Sequence, residues 1–218
     1  MKHNLYNLYK RCLEANYIHV EHDGDYAIKR EDSTLYLFLE WSHGGADWHN
    51  NFRFFAKPYK DMKPTWLCHR GFLRVWKSIE PYVKNAIMDP TVKDIVIVGY
   101  SHGAAIAGLA HEYVWFNRPD LRDGHLDSYG YGAPRFYWGF RVKKELRERW
   151  ATYHPIRNLD DIVTHVPPVV FGFRHVNDVL TIGANGLYNC VDAHRQQSYL
   201  TELYAYEMAF GNEKNKEE

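Results

Sequence analysis

One stretch constrains this chain more than any other: Ile95-Val96-Ile97-Val98-Gly99-Tyr100-Ser101-His102-Gly103, followed by Ala104-Ala105-Ile106-Ala107-Gly108-Leu109-Ala110. The β-branched run shows no alternation of apolar and polar residues, which is the pattern of a strand covered on both faces in a parallel sheet. The small apolar residues after Gly103 read as a buried helix. Strand and helix are separated by a turn so short that residues two before and two after Ser101 are pressed together, where β-carbons would collide. Gly99 and Gly103 are the residues that fit.

The rest of the chain supplies partners for that strand. Residues 26–29 and 35–39 read as a pair of strands ending at the loop signal Ser42-His43-Gly44-Gly45. Phe72, Val75, Trp76, Ile79, Tyr82 and Val83 recur at three- and four-residue steps, the apolar face of a helix. A strand over 126–132, a charged amphipathic helix over 138–150 and an extended segment over 152–156 follow. One or two further strands fall within 169–182, and a closing helix spans 193–210, with Tyr199, Leu200, Leu203 and Tyr206 inward. The β-α-β-α-β order requires parallel crossovers, hence an α/β fold with a central, mostly parallel sheet flanked by helices. Residues 1–210 are expected to form a single domain, with 211–218 a charged, frayed tail.

Composition narrows the function classes. Lys plus Arg equals Asp plus Glu at 27 each, so no net field favours nucleic acid or an anionic surface. Residues 1–10 lack the apolar core of a secretory leader, and no run is long enough to cross a bilayer; the expectation is a cytoplasmic protein without an integral membrane segment. Cys12, Cys68 and Cys190 are too few and too scattered for a disulfide framework and are expected as buried or partly buried thiols. Thirteen histidines include no H-E-x-x-H, so neither a metal nor another cofactor is called for.

The chemistry centres on the G-x-S-x-G at Gly99–Gly103, set between strand and helix. The turn lifts the Ser101 hydroxyl above the sheet at a helix N-terminus, whose N–H groups favour negative charge developing on a substrate oxygen. The backbone N–H of His102 is one oxyanion donor, with the His102 side chain a pocket wall. A serine hydroxyl needs a histidine to take its proton and a carboxylate to orient that histidine. Asp160 and Asp161 follow a strand, and spacing alone leaves both open as the acid. His165, His175 and His194 all follow them in the chain; the late position and loop-to-helix setting of His194 suit the base.

These segments together resemble the fungal-type triacylglycerol lipase family, the class 3 lipases of the α/β-hydrolase fold. Asp161-Ile162-Val163-Thr164-His165-Val166-Pro167-Pro168 is similar to the family's D-x-V-P-x-L-P-P, Gly132-Ala133-Pro134-Arg135 to its F-G-x-P-R, and His69-Arg70-Gly71-Phe72 to its H-x-G-F. Asp192-Ala193-His194 through Tyr199 is similar to its D-H-x-x-Y segment. The resemblance implies Asp161 as the acid, His194 as the base and Arg135 in an architectural ion pair. It also implies Ser42, in Leu39-Glu40-Trp41-Ser42 followed by Asp47-Trp48, as the second oxyanion donor, although Glu40 and Trp41 replace the family's Arg and Gly. The interval 43–66, with Trp48, Phe52, Phe54, Phe55, Tyr59 and Trp66, matches a lid, while Phe52-Arg53-Phe54 also alternates like a strand.

The implied function is hydrolysis of a small-molecule or lipid carboxylic ester through an acyl-enzyme, with transient contact to a lipid interface and no cofactor. Two alternatives stand beside it: a non-catalytic binding or scaffold protein that keeps the fold, and thioester or amide cleavage or acyl transfer on the same three residues. Oligomeric state is open.

Overall fold

The computed structural model describes residues 2–41 and 55–214. Its centre is a seven-stranded sheet in the order β1 (Ile18–Val20), β2 (Gly24–Glu31), β3 (Thr34–Trp41), β6 (Asp94–Tyr100), β7 (Leu126–Tyr131), β9 (Tyr153–Asn158) and β11 (Leu180–Ile182). From β3 to β11 every neighbour pair is parallel, and the β1–β2–β3 edge is antiparallel. This is the mostly parallel α/β sheet expected from the element order.

The unalternating run at 95–98 is explained by its two covers. Ile95 and Ile97 join one buried cluster with Leu35, Leu37 and Leu39, roofed by α2 (Arg70–Ile87) and α3 (His102–Asn117). Val96, Val98 and Tyr100 join the opposite cluster with Tyr36 and Phe38, roofed by α1 (Leu5–Leu13) and α5 (Gln196–Lys214). Side chains still alternate between faces, but both faces are dry, so the sequence shows no polar partner positions.

A second, antiparallel sheet in the order β10 (Phe173–Arg174), β8 (Tyr137–Trp138), β5 (Trp66–His69) and β4 (Ala56–Tyr59) flanks the first; apart from β10, which falls within 169–182, it has no counterpart in the sequence expectations. It changes the reading of 138–150. Trp138 pairs with Leu67 and Phe173, and the helix is confined to α4 (Lys144–Arg149). The charged pattern there is partly a buried pair: Arg149 bonds Glu112 at 2.5 Å, and Trp150 donates to the Gly108 carbonyl at 3.0 Å.

Other boundaries also move. Within 169–182 the chain makes a short 3-10 turn, Val169–Phe171, before β10 and β11. The closing helix starts at Gln196, because Asp192–His194 forms a separate 3-10 turn, and it runs on through 211–214, part of the expected frayed tail. Residues 215–218 lie outside the described residues. Cys12 and Cys68 are buried free thiols, whereas Cys190 is exposed.

Candidate active site

The turn after β6 delivers Ser101 at the carboxyl edge of the sheet in a backbone conformation of φ 55°, ψ −121°, rare for a residue with a side chain. Its N–H donates to the Tyr131 carbonyl at 2.8 Å, so β7 holds the turn from the side. A β-carbon on Gly99 would run into the Gly103 carbonyl, and one on Gly103 into the Leu39 carbonyl of β3. Three backbone segments thus touch where these two glycines sit.

Ser101 is joined to His194 and Asp161 by hydrogen bonds. Ser101 Oγ lies 2.8 Å from His194 Nε2, and His194 Nδ1 lies 2.8 Å from Asp161 Oδ2. The Asp161 side chain is fully buried and that of His194 is 13% exposed, so the carboxylate is shielded from water while the ring edge is reachable. Asp161 is fixed by further donors: Val163 N–H to Oδ1 at 2.8 Å and the buried Tyr199 hydroxyl to Oδ2 at 2.7 Å. His194 is held in turn by Tyr100, whose ring stacks on the imidazole at 5.3 Å and whose hydroxyl donates to the His194 carbonyl.

The open alternatives separate on geometry. Asp160 accepts from the Gly186 N–H at 2.9 Å, whereas Asp161 is the carboxylate bonded to His194. His165 lies between Arg135 and Arg157, and His175 bonds the Thr164 carbonyl at 2.9 Å. His102 packs edge-on against Phe72 at 4.6 Å, and burial pushes its imidazole down to about 3, so it is neutral at neutral pH. It is also the first residue of α3, where backbone N–H groups have no partner within the helix. Arg135 bonds the carbonyls of His165 and Pro167, and among the described residues it forms no ion pair. Ser42, Asp47, Trp48 and the aromatic residues at 52 and 54 lie outside the described residues.

Three supporting residues escape sequence reasoning. Tyr199 appears there as an inward-facing residue and as the end of the segment similar to D-H-x-x-Y, with no role of its own, yet its hydroxyl links Asp161 to the Asn158 N–H, which donates to it at 3.0 Å. Gly132, at φ 63°, lets the backbone pass so near the site that a β-carbon would meet His194 Cε1 at 2.9 Å and Asp161 Oδ2 at 3.2 Å. Tyr100 occupies a position the G-x-S-x-G pattern leaves free. Among the described residues no group of three His, Cys, Asp or Glu side chains is placed to hold a metal ion.

Comparison with known families bears directly on this arrangement. The family described as Lipase (class 3) matches residues 37–171, from β3 through Asp161 and beyond. The chain belongs to the class 3 lipase family. Among curated relatives, a secreted mono- and diacylglycerol lipase of Fusarium solani is 33% identical over 137 residues, covering 60% of this chain and 38% of the relative. A lipase of Rhizomucor miehei is 26% identical over 175 residues, covering 75% of this chain and 46% of the relative. The chain therefore spans less than half the length of these relatives. The solved Rhizomucor miehei triacylglyceride lipase superposes with a TM-score of 0.65 at 22% identity, covering 78% of this chain and 67% of that one. A triacylglycerol lipase described as having a serine protease triad at its catalytic centre gives 0.65 at 21%, covering 83% and 77%. These likenesses establish the α/β-hydrolase fold. They also correct one expectation: the Fusarium relative is secreted, which overturns the cytoplasmic reading, so the polar character of residues 1–10 is no guide to compartment.

Proposed function

We propose that this class 3 lipase family member is a serine hydrolase of carboxylic esters, with acylglycerol-type lipid esters as its substrate class. The observation that carries the reading is the Ser101–His194–Asp161 chain, with both links at 2.8 Å, mounted on a strained turn at the end of β6. In this reading the Ser101 hydroxyl attacks the ester carbonyl while His194 Nε2 takes its proton. Asp161 holds the Nδ1–H and offsets the charge of the imidazolium. The tetrahedral oxyanion is stabilised by the His102 N–H and by Ser42. Collapse expels the alcohol, which receives the proton from His194 and leaves an acyl ester on Ser101. Water, activated by the same imidazole, then hydrolyses that ester and regenerates the hydroxyl. The named activity of the Fusarium relative on mono- and diacylglycerols supports the substrate class.

The test is labelling with a fluorophosphonate probe, run beside turnover of mono- and diacylglycerols and of a graded series of soluble esters. Wild type should label and turn over ester; Ser101→Ala and His194→Ala should do neither. Asp161→Asn should label slowly and lose about 10³-fold or more in turnover. A wild-type protein that neither labels nor hydrolyses any ester would leave the fold without this chemistry.

A further inference from the structure

Away from Ser101, a cavity of about 530 Å³ opens between the first turns of α2, strand β4 and the 3-10 turn Glu21–Asp23. Its walls carry Lys57, Lys60, Arg70, Arg74 and Lys77, together with His22. Against these cations the lining sets two carboxylates, Glu21 and Asp61, in a chain whose formal charges cancel overall. One of the two is already engaged: Lys77 is bonded to Asp61, and to Glu80 at 2.6 Å. Among the described residues Lys57, Lys60, Arg70 and Arg74 form no ion pair. Local like charge of this kind is unfavourable unless an anion offsets it.

Three further features suit an oxyanion. Arg70, Arg74 and Lys77 recur at helical spacing and so share one face of α2. The first turn of α2 opens on Arg70 and has no acidic residue; its cap is the His69 side chain, which accepts from the Phe72 N–H, so no carboxylate of that turn offsets these cations. The Arg74 guanidinium donates to His22 Nδ1 at 2.8 Å, which anchors it against the 3-10 turn at the cavity wall. His22 itself is held at φ 65°, an uncommon conformation for a residue with a side chain.

We propose that this cavity binds a phosphate-bearing anion, either a free phosphate compound or the phosphate of a lipid headgroup, at a site separate from the Ser101–His194–Asp161 chain. Guanidinium groups give forked hydrogen bonds to phosphate oxygens, and the lysines add point charge. The site stands whether or not the chain hydrolyses esters, because its readout is binding.

The experiment uses the full chain and two probes: inorganic pyrophosphate by titration calorimetry, and phosphatidylcholine vesicles with and without phosphatidic acid by co-sedimentation. Arg70→Gln/Arg74→Gln and, on the strand side, Lys57→Gln/Lys60→Gln each remove two charges from the cavity. Lys143→Gln/Lys144→Gln removes the same charge elsewhere, and thermal melts confirm that each variant is folded. The expected result is saturable binding of at least one probe, weakened tenfold or more by either cavity variant and unchanged by Lys143→Gln/Lys144→Gln. Pyrophosphate binding identifies a free phosphate compound; binding only to phosphatidic acid vesicles identifies a headgroup. No binding of either probe, or equal weakening in all three variants, overturns the proposal.

Discussion

At the scale of single residues, the position of the imidazole depends on one buried hydroxyl. Asp161 Oδ2 accepts from both His194 and Tyr199, and the same tyrosine oxygen takes the Asn158 N–H. Tyr199→Phe strips a donor from a buried carboxylate and leaves a buried N–H unpaired. Hydrogen bonds to charged groups are worth about 1.5–3 kcal/mol, and an orphaned buried donor costs about 1–3 kcal/mol. Under the proposed chemistry kcat/KM should fall about tenfold or more. The denaturation midpoint should fall with it. Steady-state kinetics on a soluble ester beside urea unfolding measures both, and a variant with wild-type kcat/KM would reduce Tyr199 to a packing residue.

At the scale of elements, the end of β7 matters as much as the turn after β6. Gly132→Ala puts a methyl group against His194 and forces a side chain into φ 63°. The strain costs on the order of 1 kcal/mol, small beside the stability of a domain. The misplaced ring should therefore cost more than the fold does: turnover down by about 10²-fold, with near-wild-type circular dichroism. Unchanged turnover would mean that the ring has room to move. What could be read beforehand follows the same division. The glycines around Ser101 answer a local steric demand, so the turn is legible in the sequence, and so is the strand buried on both faces. Tyr137 and Trp138 form a strand too short to carry any period, and only their partners Leu67 and Phe173 define it. Leu5, Leu8, Tyr9 and Cys12 do carry helical spacing, but what makes α1 matter is tertiary: Tyr9 packs against Tyr100 and Tyr199, the two tyrosines that hold His194 and Asp161. The Tyr199 hydroxyl was unreadable because its target depends on how α5 docks.

At the scale of the whole molecule, buried histidines tie the fold to pH. Burial pushes His69, His111 and His175 down to about 4 and His102 to about 3. Unfolded, each returns to about 6.5. Below that value the unfolded chain binds more protons than the folded one, so stability falls as pH drops from about 6.5 toward 4. Each of the fully buried pair, His69 and His111, costs up to about 1.4 kcal/mol per pH unit, and the half-buried His102 and His175 cost less. Urea midpoints should be flat above pH 7 and decline steeply between pH 6 and 5; equal midpoints at pH 7 and 5 would show that these rings are hydrated. The backbone at Ser101 points to another tension. A conformation that a side chain resists stores on the order of 1–3 kcal/mol, which the surrounding fold must supply. Ser101→Gly releases that strain and deletes the nucleophile together, so it should melt above Ser101→Ala while being equally inert. The working sequence is then not the most durable one this fold admits, and selection for robustness alone would erode it first at the residue it can least spare.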